Sequence, residues 1–376
     1  MAVCSEKAVL HVPSYTQEQT GQTGYLAVLF FISMHIGDRI VKWYEQQGRD
    51  MPWREVHDPY LIWIQEVVMQ QTRIEQGVGY YERFVARFPD LKTLAEAPLD
   101  EVLKYWEGLG YYSRARNLHA AAQQLVSEHG GIFPRDPQAL MRLKGIGPYT
   151  ARAIASFAFG AETGVIDGNV LRVMARVLGD DSPINQPRTR KAFQGIIDTW
   201  VQGVPSRAFN HGIIDLGATV CTPTQPGCLL CPLETACVAR AEGHTHLLPF
   251  KEKKGPKPVR YFHFYMVHDA RGARLIRQRP AQGLWGGLWE IPNAEVEAEA
   301  FQRQLDPRGG DYCFSLRHIF THFEMQIGVY TLPTPAAAGW EGQFVSPEKI
   351  STFAFARAVL NIFSRWEKNA PQTGLL

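Results

Sequence analysis

Along roughly the first two thirds of the chain apolar residues recur every three to four positions, and from Val259 onward they recur every second position. The first period is that of a helix face and the second that of a half-buried strand. The pattern therefore predicts a mainly α N-terminal region followed by a smaller α/β domain. Ile36, Ile40, Trp43 and Tyr44 mark the face of a first helix. Residues 60–74, YLIWIQEVVMQQTRI, read as one helix whose stripe is Leu61, Ile64 and Val68, widened by Ile62 and Met69. Residues 78–130 continue as helices with stops at Pro89, Pro98 and Gly130-Gly131. Val170, Leu171, Val173, Met174, Val177 and Leu178 form a strongly apolar helix read as core. Helices through Phe193 to Trp200 and Ala208 to Ala218 follow. In the last third, Arg260–Val267 and Arg274–Arg279 read as paired strands across a glycine turn. A helix near 294–304, strands around 313–320 and 324–332, and helical periodicity at Ala354 to Phe363 complete the pattern.

These patterns divide the chain into a helical domain over 34–237, a linker over 238–258 and an α/β domain over 259–370. The linker is basic and broken by prolines, as in Lys251-Glu252-Lys253-Lys254-Gly255-Pro256-Lys257-Pro258, and is expected to be extended and solvated. Residues 1–33 carry no recognisable cap, motif or charge pattern and are expected to be a dispensable extension.

Composition narrows the class only a little. At 376 residues, 45% hydrophobic and 20% charged, the chain is long enough for two or three ordinary cores. A net charge of +2 supplies no global field for nucleic acid, so any basic patch must be local. The longest apolar run, Tyr25 to Ile32, is too short to span a bilayer, and no secretory signal is recognisable. A soluble, intracellular protein is expected.

The candidate chemistry centres on residues 143–169, LKGIGPYTARAIASFAFGAETGVIDGN. Gly145 and Gly147 allow close approach of a bulky anion, and Pro148 opens a helix whose first amides and dipole suit a phosphate. Asp167 stands about twenty residues beyond this hairpin, just ahead of an apolar helix; it is either a reactive carboxylate or a simple cap. Glu66 lies inside the apolar band of the 60–74 helix, where lost solvation is expected to raise its pKa and suit it to general-acid work. Gln70, Gln71 and Thr72 carry groups able to read base edges. The loop Gly48-Arg49-Asp50-Met51-Pro52-Trp53-Arg54 combines guanidinium and indole, as a flipped base requires, although a surface loop with one anchoring Trp fits those residues as well. Gly108-Leu109-Gly110-Tyr111-Tyr112-Ser113-Arg114-Ala115-Arg116 suits insertion into a base stack. Cys221-x6-Cys228-x2-Cys231-x5-Cys237 gathers four of the six cysteines, a spacing that favours a [4Fe-4S] cluster and leaves structural zinc as the alternative.

Taken together, LKGIGPYTARA, VIDGNV, IQEVVMQQT and the four-cysteine loop resemble the helix-hairpin-helix DNA glycosylases. GRDMPWR, MQQT, GLGYYSRARNL and the C-terminal domain are similar to the adenine DNA glycosylases of the MutY family, over roughly residues 36–370. The resemblance implies that Glu66 is the catalytic acid that protonates adenine N7 and that Asp167 stabilises the oxocarbenium-like sugar. It places Arg49, Trp53, Arg54, Met69 and Asp215 in the adenine pocket, and Gln71, Thr72 and Tyr111 at the opposing base. Tyr149 occupies the position where endonuclease III-type relatives carry a Schiff-base lysine, so strand cleavage is not expected. Lys144, where relatives often have Pro, sits too early in the loop to substitute. The C-terminal domain resembles a Nudix fold through GLWGGLWEIP but lacks the acidic metal signature, which implies a binding role. Phe320, Thr321 and His322 match the loop that checks for 8-oxoguanine. The implied cofactor is a [4Fe-4S] cluster supporting DNA binding. The implied partner is duplex DNA carrying an A:8-oxoguanine or A:G mismatch, engaged by a monomer in the cytoplasm at the nucleoid. The competing readings are a bifunctional glycosylase–lyase for oxidised pyrimidines and a DNA-binding iron–sulfur protein without turnover.

A chain starting at Met34 is expected to fold and bind DNA as the full chain does. Thermal melting and a DNA-binding titration of the two side by side check this.

Overall fold

The structure, a computed structural model, describes residues 36–253, 255–333 and 339–369. The expectation for residues 1–33 lies outside them. The described chain separates into two compact units. One comprises the described residues up to Arg54 together with Ala155–Glu252, and the other Glu55–Ile154 together with the described residues from Lys253 on.

The helices, in chain order, are α1 (36–47), α2 (Pro59–Met69), α3 (Ile74–Arg87), α4 (Leu91–Glu96), α5 (Leu99–Tyr105), α6 (Ser113–His129), α7 (Pro137–Leu140), α8 (Pro148–Phe159), α9 (Gly168–Leu178), α10 (Pro187–Trp200) and α11 (Ser206–Asp215). Local signals explain most of the ends. Asp58, Asp90, Asp136 and Asp167 each accept a backbone N–H of the first turn, and Pro stands in the first turn of α2, α7 and α10. Gly130 and Gly179 close α6 and α9 in the left-handed conformation. In the first unit α1, α9, α10 and α11 bury Ile40, Met174, Phe193, Ile197, Phe209 and Ile213 against one another. The stretch read as core, 170–178, belongs to this cluster.

One sequence expectation fails in the second unit. Residues 60–74 do not form a single helix: α2 stops at Met69 and α3 begins at Ile74. Gln71 lies between them at φ +58. The Arg114 guanidinium supplies the reason. Its Nη1 donates to the carbonyls of Val67 (2.7 Å) and Gln70 (2.6 Å), so the helix end is satisfied without a further turn.

In the C-terminal part, β1 (Val259–His268), β2 (Arg274–Gln278), β3 (Trp289–Glu290), β4 (Asn293–Val296), β5 (Asp311–Ile319), β6 (Glu324–Pro333) and β7 (Gln343–Val345) form one mixed sheet. Its main path is β3-β2-β1-β6-β5, with β4 paired to β1 and β7 to β2. β1 and β6 are parallel; the other pairs are antiparallel. Alternation along β1 sends Phe262, Phe264 and Met266 into one core with Val359, Ile362 and Phe363, and Tyr265 and Val267 into a second core. The remaining helices are α12 (Val238–Ala241), α13 (Ala298–Gln302), α14 (Pro347–Ile350) and α15 (Arg357–Asn369). The helix expected near 294–304 is therefore mostly absent. Residues 293–296 add a strand to β1 instead, because pairing there outweighs local preference, and Arg260 grips Glu295 across the two strands at 2.7 Å.

Gly145 sits at φ +74 in the turn before α8, where an added Cβ would stand 2.4 Å from the Asn117 Cβ. Gly145→Ala is expected to lower stability by roughly 1–3 kcal/mol from left-handed backbone cost and overlap. A fall of several degrees in Tm by differential scanning calorimetry is the check.

Candidate active site and cysteine chamber

In the second unit Glu66 is 7% exposed on α2, as the apolar band predicts. The Tyr149 hydroxyl, from the first turn of α8, donates to Glu66 Oε2 at 2.8 Å. One residue on, Thr150 Oγ1 accepts from Gln70 Nε2 at 3.0 Å. The start of the hairpin helix is thereby tied to the helix that carries the acid. Gly145 and Gly147 are exposed just ahead of α8, in the position from which a helix start addresses an anion. Met69 packs its sulfur where a Cβ on Gly77 would stand, 2.3 Å from it.

Gln71 (φ +58) and Tyr111 (φ +47), in the same unit, are among the non-glycine residues in the left-handed conformation that only Gly adopts cheaply. Both are exposed, Tyr111 by 42%. Arg114 organises both turns. Besides the α2 carbonyls it donates to Gly110 O at 3.3 Å, and its guanidinium carbon lies 5.8 Å from the Tyr111 ring centroid. Thr72 is half-buried and bonds locally to Gln70 O. Phe320, Thr321 and His322 form the tip of the β5–β6 hairpin. Phe320 stacks on Phe323 with centroids 4.2 Å apart, and Thr321 and His322 are exposed.

In the first unit Asp167 accepts from Val170 N at 2.7 Å and from Asn169 Nδ2 at 3.0 Å. It caps α9, and burial raises its carboxyl above the usual range although those bonds and the Arg172 charge act the other way. Asn169 Oδ1 in turn accepts from Arg172 Nη2 at 2.9 Å, and Arg172 Nε donates to Cys221 O at 2.8 Å. An unbroken run of bonds thus leads from Asp167 to the first cysteine of the loop. Asp215 is 0% exposed and is held by Arg49 (Nε 2.8 Å, backbone N 2.9 Å) and by both Nη atoms of Arg54 at 2.7 Å. Burial alone would raise the Asp215 pKa; the two guanidinium groups more than reverse this and hold it below the usual range. Trp53 is half-buried between the two arginines in sequence. Arg49 and Arg54 are thus committed to a carboxylate, which the sequence did not reveal.

Cys221, Cys228, Cys231 and Cys237 line one pocket in the first unit, together with Arg176 and Arg240. Burial pushes the Cys231 thiol up to about 12 and raises Cys237 as well, with the neighbouring cysteines adding to the effect. Arg176 holds the loop in place through Thr222 O at 2.7 Å, Pro223 O at 2.9 Å and Cys221 Sγ at 3.3 Å. A single ion needs sulfurs at about 2.3 Å from one point. Among the described residues no three or more His, Cys, Asp or Glu side chains are gathered that way.

Asn169, Arg172 and Arg176 are the residues that sequence reading missed, and Tyr112, read with Tyr111 as suited to insertion into a base stack, is instead buried. The available signal was two arginines four apart inside the apolar helix 170–178, since a charge there must be paired to be buried.

Residues 64–199 match the model of the HhH-GPD superfamily of base excision DNA repair proteins, and residues 263–365 match the NUDIX domain. The chain is 33% identical over 405 residues to the adenine DNA glycosylase of Homo sapiens, covering 89% of this chain and 74% of that protein. It is 31% identical to the adenine DNA glycosylase of Buchnera aphidicola, covering 79% and 86%. A solved thermostable thymine-DNA glycosylase superposes with a TM-score of 0.52 at 29% identity, covering 56% of this chain and 98% of that one. No described helix is long and apolar enough to cross a membrane.

Because the folded state holds the Asp167 proton more tightly than the unfolded chain, this group's stabilising contribution is present at low pH and lost as pH rises through its raised pKa. Asn caps a helix as well as Asp. Asp167→Asn is therefore expected to melt higher than the parent at pH 7.5, with the gap closing as pH approaches about 4; melting curves across that range check the sign.

Proposed function

The chain belongs to the adenine DNA glycosylases of the helix-hairpin-helix superfamily, and on that premise we propose that it excises adenine mispaired with 8-oxoguanine or guanine by monofunctional hydrolysis. It is a base-excision DNA repair glycosylase and acts on DNA. The finer reading rests above all on one contact, the Tyr149 hydroxyl on a buried Glu66. The contact supports reading Glu66 as an acid close to the start of the hairpin helix, and the position that carries an amine in a lyase is held here by a tyrosine.

In this mechanism adenine leaves the stack, and Arg49, Trp53, Arg54, Met69 and Asp215 are the residues proposed to recognise it. Glu66 gives its proton to adenine N7, and the C1′–N9 bond breaks with its electron pair going to the base. Asp167, ionised, stabilises the positive sugar until water adds at C1′ and releases a proton. Burial works against the ionisation of Asp167, and the bonds from Val170 and Asn169 together with the Arg172 charge work for it; Asn169 and Arg172 also orient the carboxylate. Gly145 and Gly147 receive a phosphate. Gln71, Thr72 and Tyr111 fill the space at the opposing base; the two strained exposed side chains suit that task. Phe320, Thr321 and His322 test the opposing base for 8-oxoguanine, and the C-terminal domain binds without hydrolysing nucleotides.

Cys221, Cys228, Cys231 and Cys237 hold a [4Fe-4S] cluster. Four cysteines lining one pocket, with the spacing x6-x2-x5 and a single Cys-x2-Cys pair, support a polynuclear centre over one zinc ion. When bound, the cluster rigidifies the loop for DNA contact and supplies no redox step to hydrolysis. The protein works as a monomer at the nucleoid.

Glu66→Gln is expected to keep DNA affinity while single-turnover adenine excision from A:8-oxoguanine duplex falls about 10²–10⁴-fold. Near-parent excision would remove Glu66 from the acid role. Borohydride should trap no covalent enzyme–DNA adduct; an adduct lost on Lys144→Ala would favour the lyase reading.

A further inference from the structure

Within the second unit the turn that presents Tyr111 is bonded to the sheet domain at two places. Residues 353–355 form a strap of that domain. Ala354 O accepts from Trp289 N at 2.9 Å, so the strap belongs to the sheet on that side. On its other side Phe355 N donates to Glu107 Oε1 at 2.8 Å, and Phe355 O accepts from the Tyr112 hydroxyl at 3.0 Å. The Tyr112 oxygen also accepts from Gly108 N at 3.1 Å. Tyr112 thus spends both its donor and an acceptor position, at 5% exposure, on joining the first residue of the Gly108–Tyr111 turn to the strap. The second tie is Arg116 Nη1 to Gly286 O at 2.7 Å. Gly286 follows Trp285, which lies in the left-handed region (φ +55) with its ring 5.6 Å from Phe320. Both ties end within five residues of Tyr111, and one of them begins next to the hairpin tip that carries Thr321 and His322.

We propose that Tyr112 is a positioning residue that couples the base-reading hairpin of the C-terminal domain to the Tyr111 turn, so that the identity of the opposing base governs how firmly Tyr111 is set. The proposal rests on the preceding assignment of Phe320–His322 and Tyr111, and extends it to a residue outside both. The turn is stiff because it is bonded along its length: Gly108 N donates to the Tyr112 oxygen, and Gly110 O accepts from Trp106 Nε1 at 3.1 Å and from Arg114 Nη2 at 3.3 Å. A stiff turn held at its first residue moves as a block, so displacement of the strap is transmitted to the wedge and not absorbed by the loop. A purely docking role would instead change binding to every duplex alike.

The test is single-turnover excision by the full-length, cluster-loaded protein on A:8-oxoguanine and A:G duplexes. Tyr112→Phe keeps the ring and removes the bridging hydroxyl. It is expected to cut the rate preference for the 8-oxoguanine duplex by about three- to tenfold, the worth of one buried hydrogen bond. Phe320→Ala is expected to cut the same preference, and the double variant to lose no more than the larger single loss. Arg116→Met, which severs the second tie, should act in the same direction and decides the matter if Tyr112→Phe does not fold. A parent without any preference would sink both the base-reading assignment and this coupling. A parent that prefers 8-oxoguanine while Tyr112→Phe keeps the full preference, or losses that multiply in the double variant, would sink the coupling alone.

Discussion

Guanidinium groups donating to loop carbonyls hold the irregular parts of this protein in place. Arg114 satisfies Val67, Gln70 and Gly110; Arg172 satisfies Gly217 and Cys221; Arg176 satisfies Leu248, Thr222 and Pro223. Carbonyls at a helix end or in a loop lose water on folding and need a donor. Arginine offers five N–H groups in a rigid fork and stays charged under nearly all conditions. One such side chain therefore closes several carbonyl ends at once, where a lysine would serve fewer and with less directional control. The residues of the site sit on the segments so held: Gln71 and Tyr111 around Arg114, Cys221 beside Arg172 and Arg176.

Several groups serve structure and chemistry together. Asp167 terminates α9 as its cap and is the carboxylate assigned to the sugar cation. A cap bonded to N–H groups on its own helix cannot drift, which suits an electrostatic stabiliser that must be oriented before the reaction begins. The same burial that places it opposes its ionisation, a cost in stability that function requires. Asp215 shows the contrasting case. It is more deeply buried, yet two arginines compensate it fully, so its charge consolidates the loop 49–54.

The C-terminal domain follows simpler rules. Its strands alternate, its two cores lie on opposite faces of β1, and α15 covers one of them. The tip of its β5–β6 hairpin is braced by stacked Phe320 and Phe323. Exposed polar groups on a braced turn combine accessibility with low conformational freedom.

Period, glycine and proline punctuation were enough to locate α1, α9, α10 and α11, the strands β1, β2, β5 and β6, and the stretch that carries Glu66, but not α12, which lies in the stretch 238–258 expected to be an extended linker. They could do so because each is set within a few residues of chain: burial of a stripe, a missing N–H, a forbidden Cβ. The same local signals failed at 70–73 and at 293–296, where Arg114 and the edge of β1 outweighed helical preference. They also could not show that Arg49 and Arg54 share Asp215, that Tyr149 touches Glu66, or that Asn169 and Arg172 connect Asp167 to Cys221. Those partners stand up to 166 positions apart. A buried charge announces in the sequence that it needs a partner, but which partner it receives depends on the distances that only the folded chain sets.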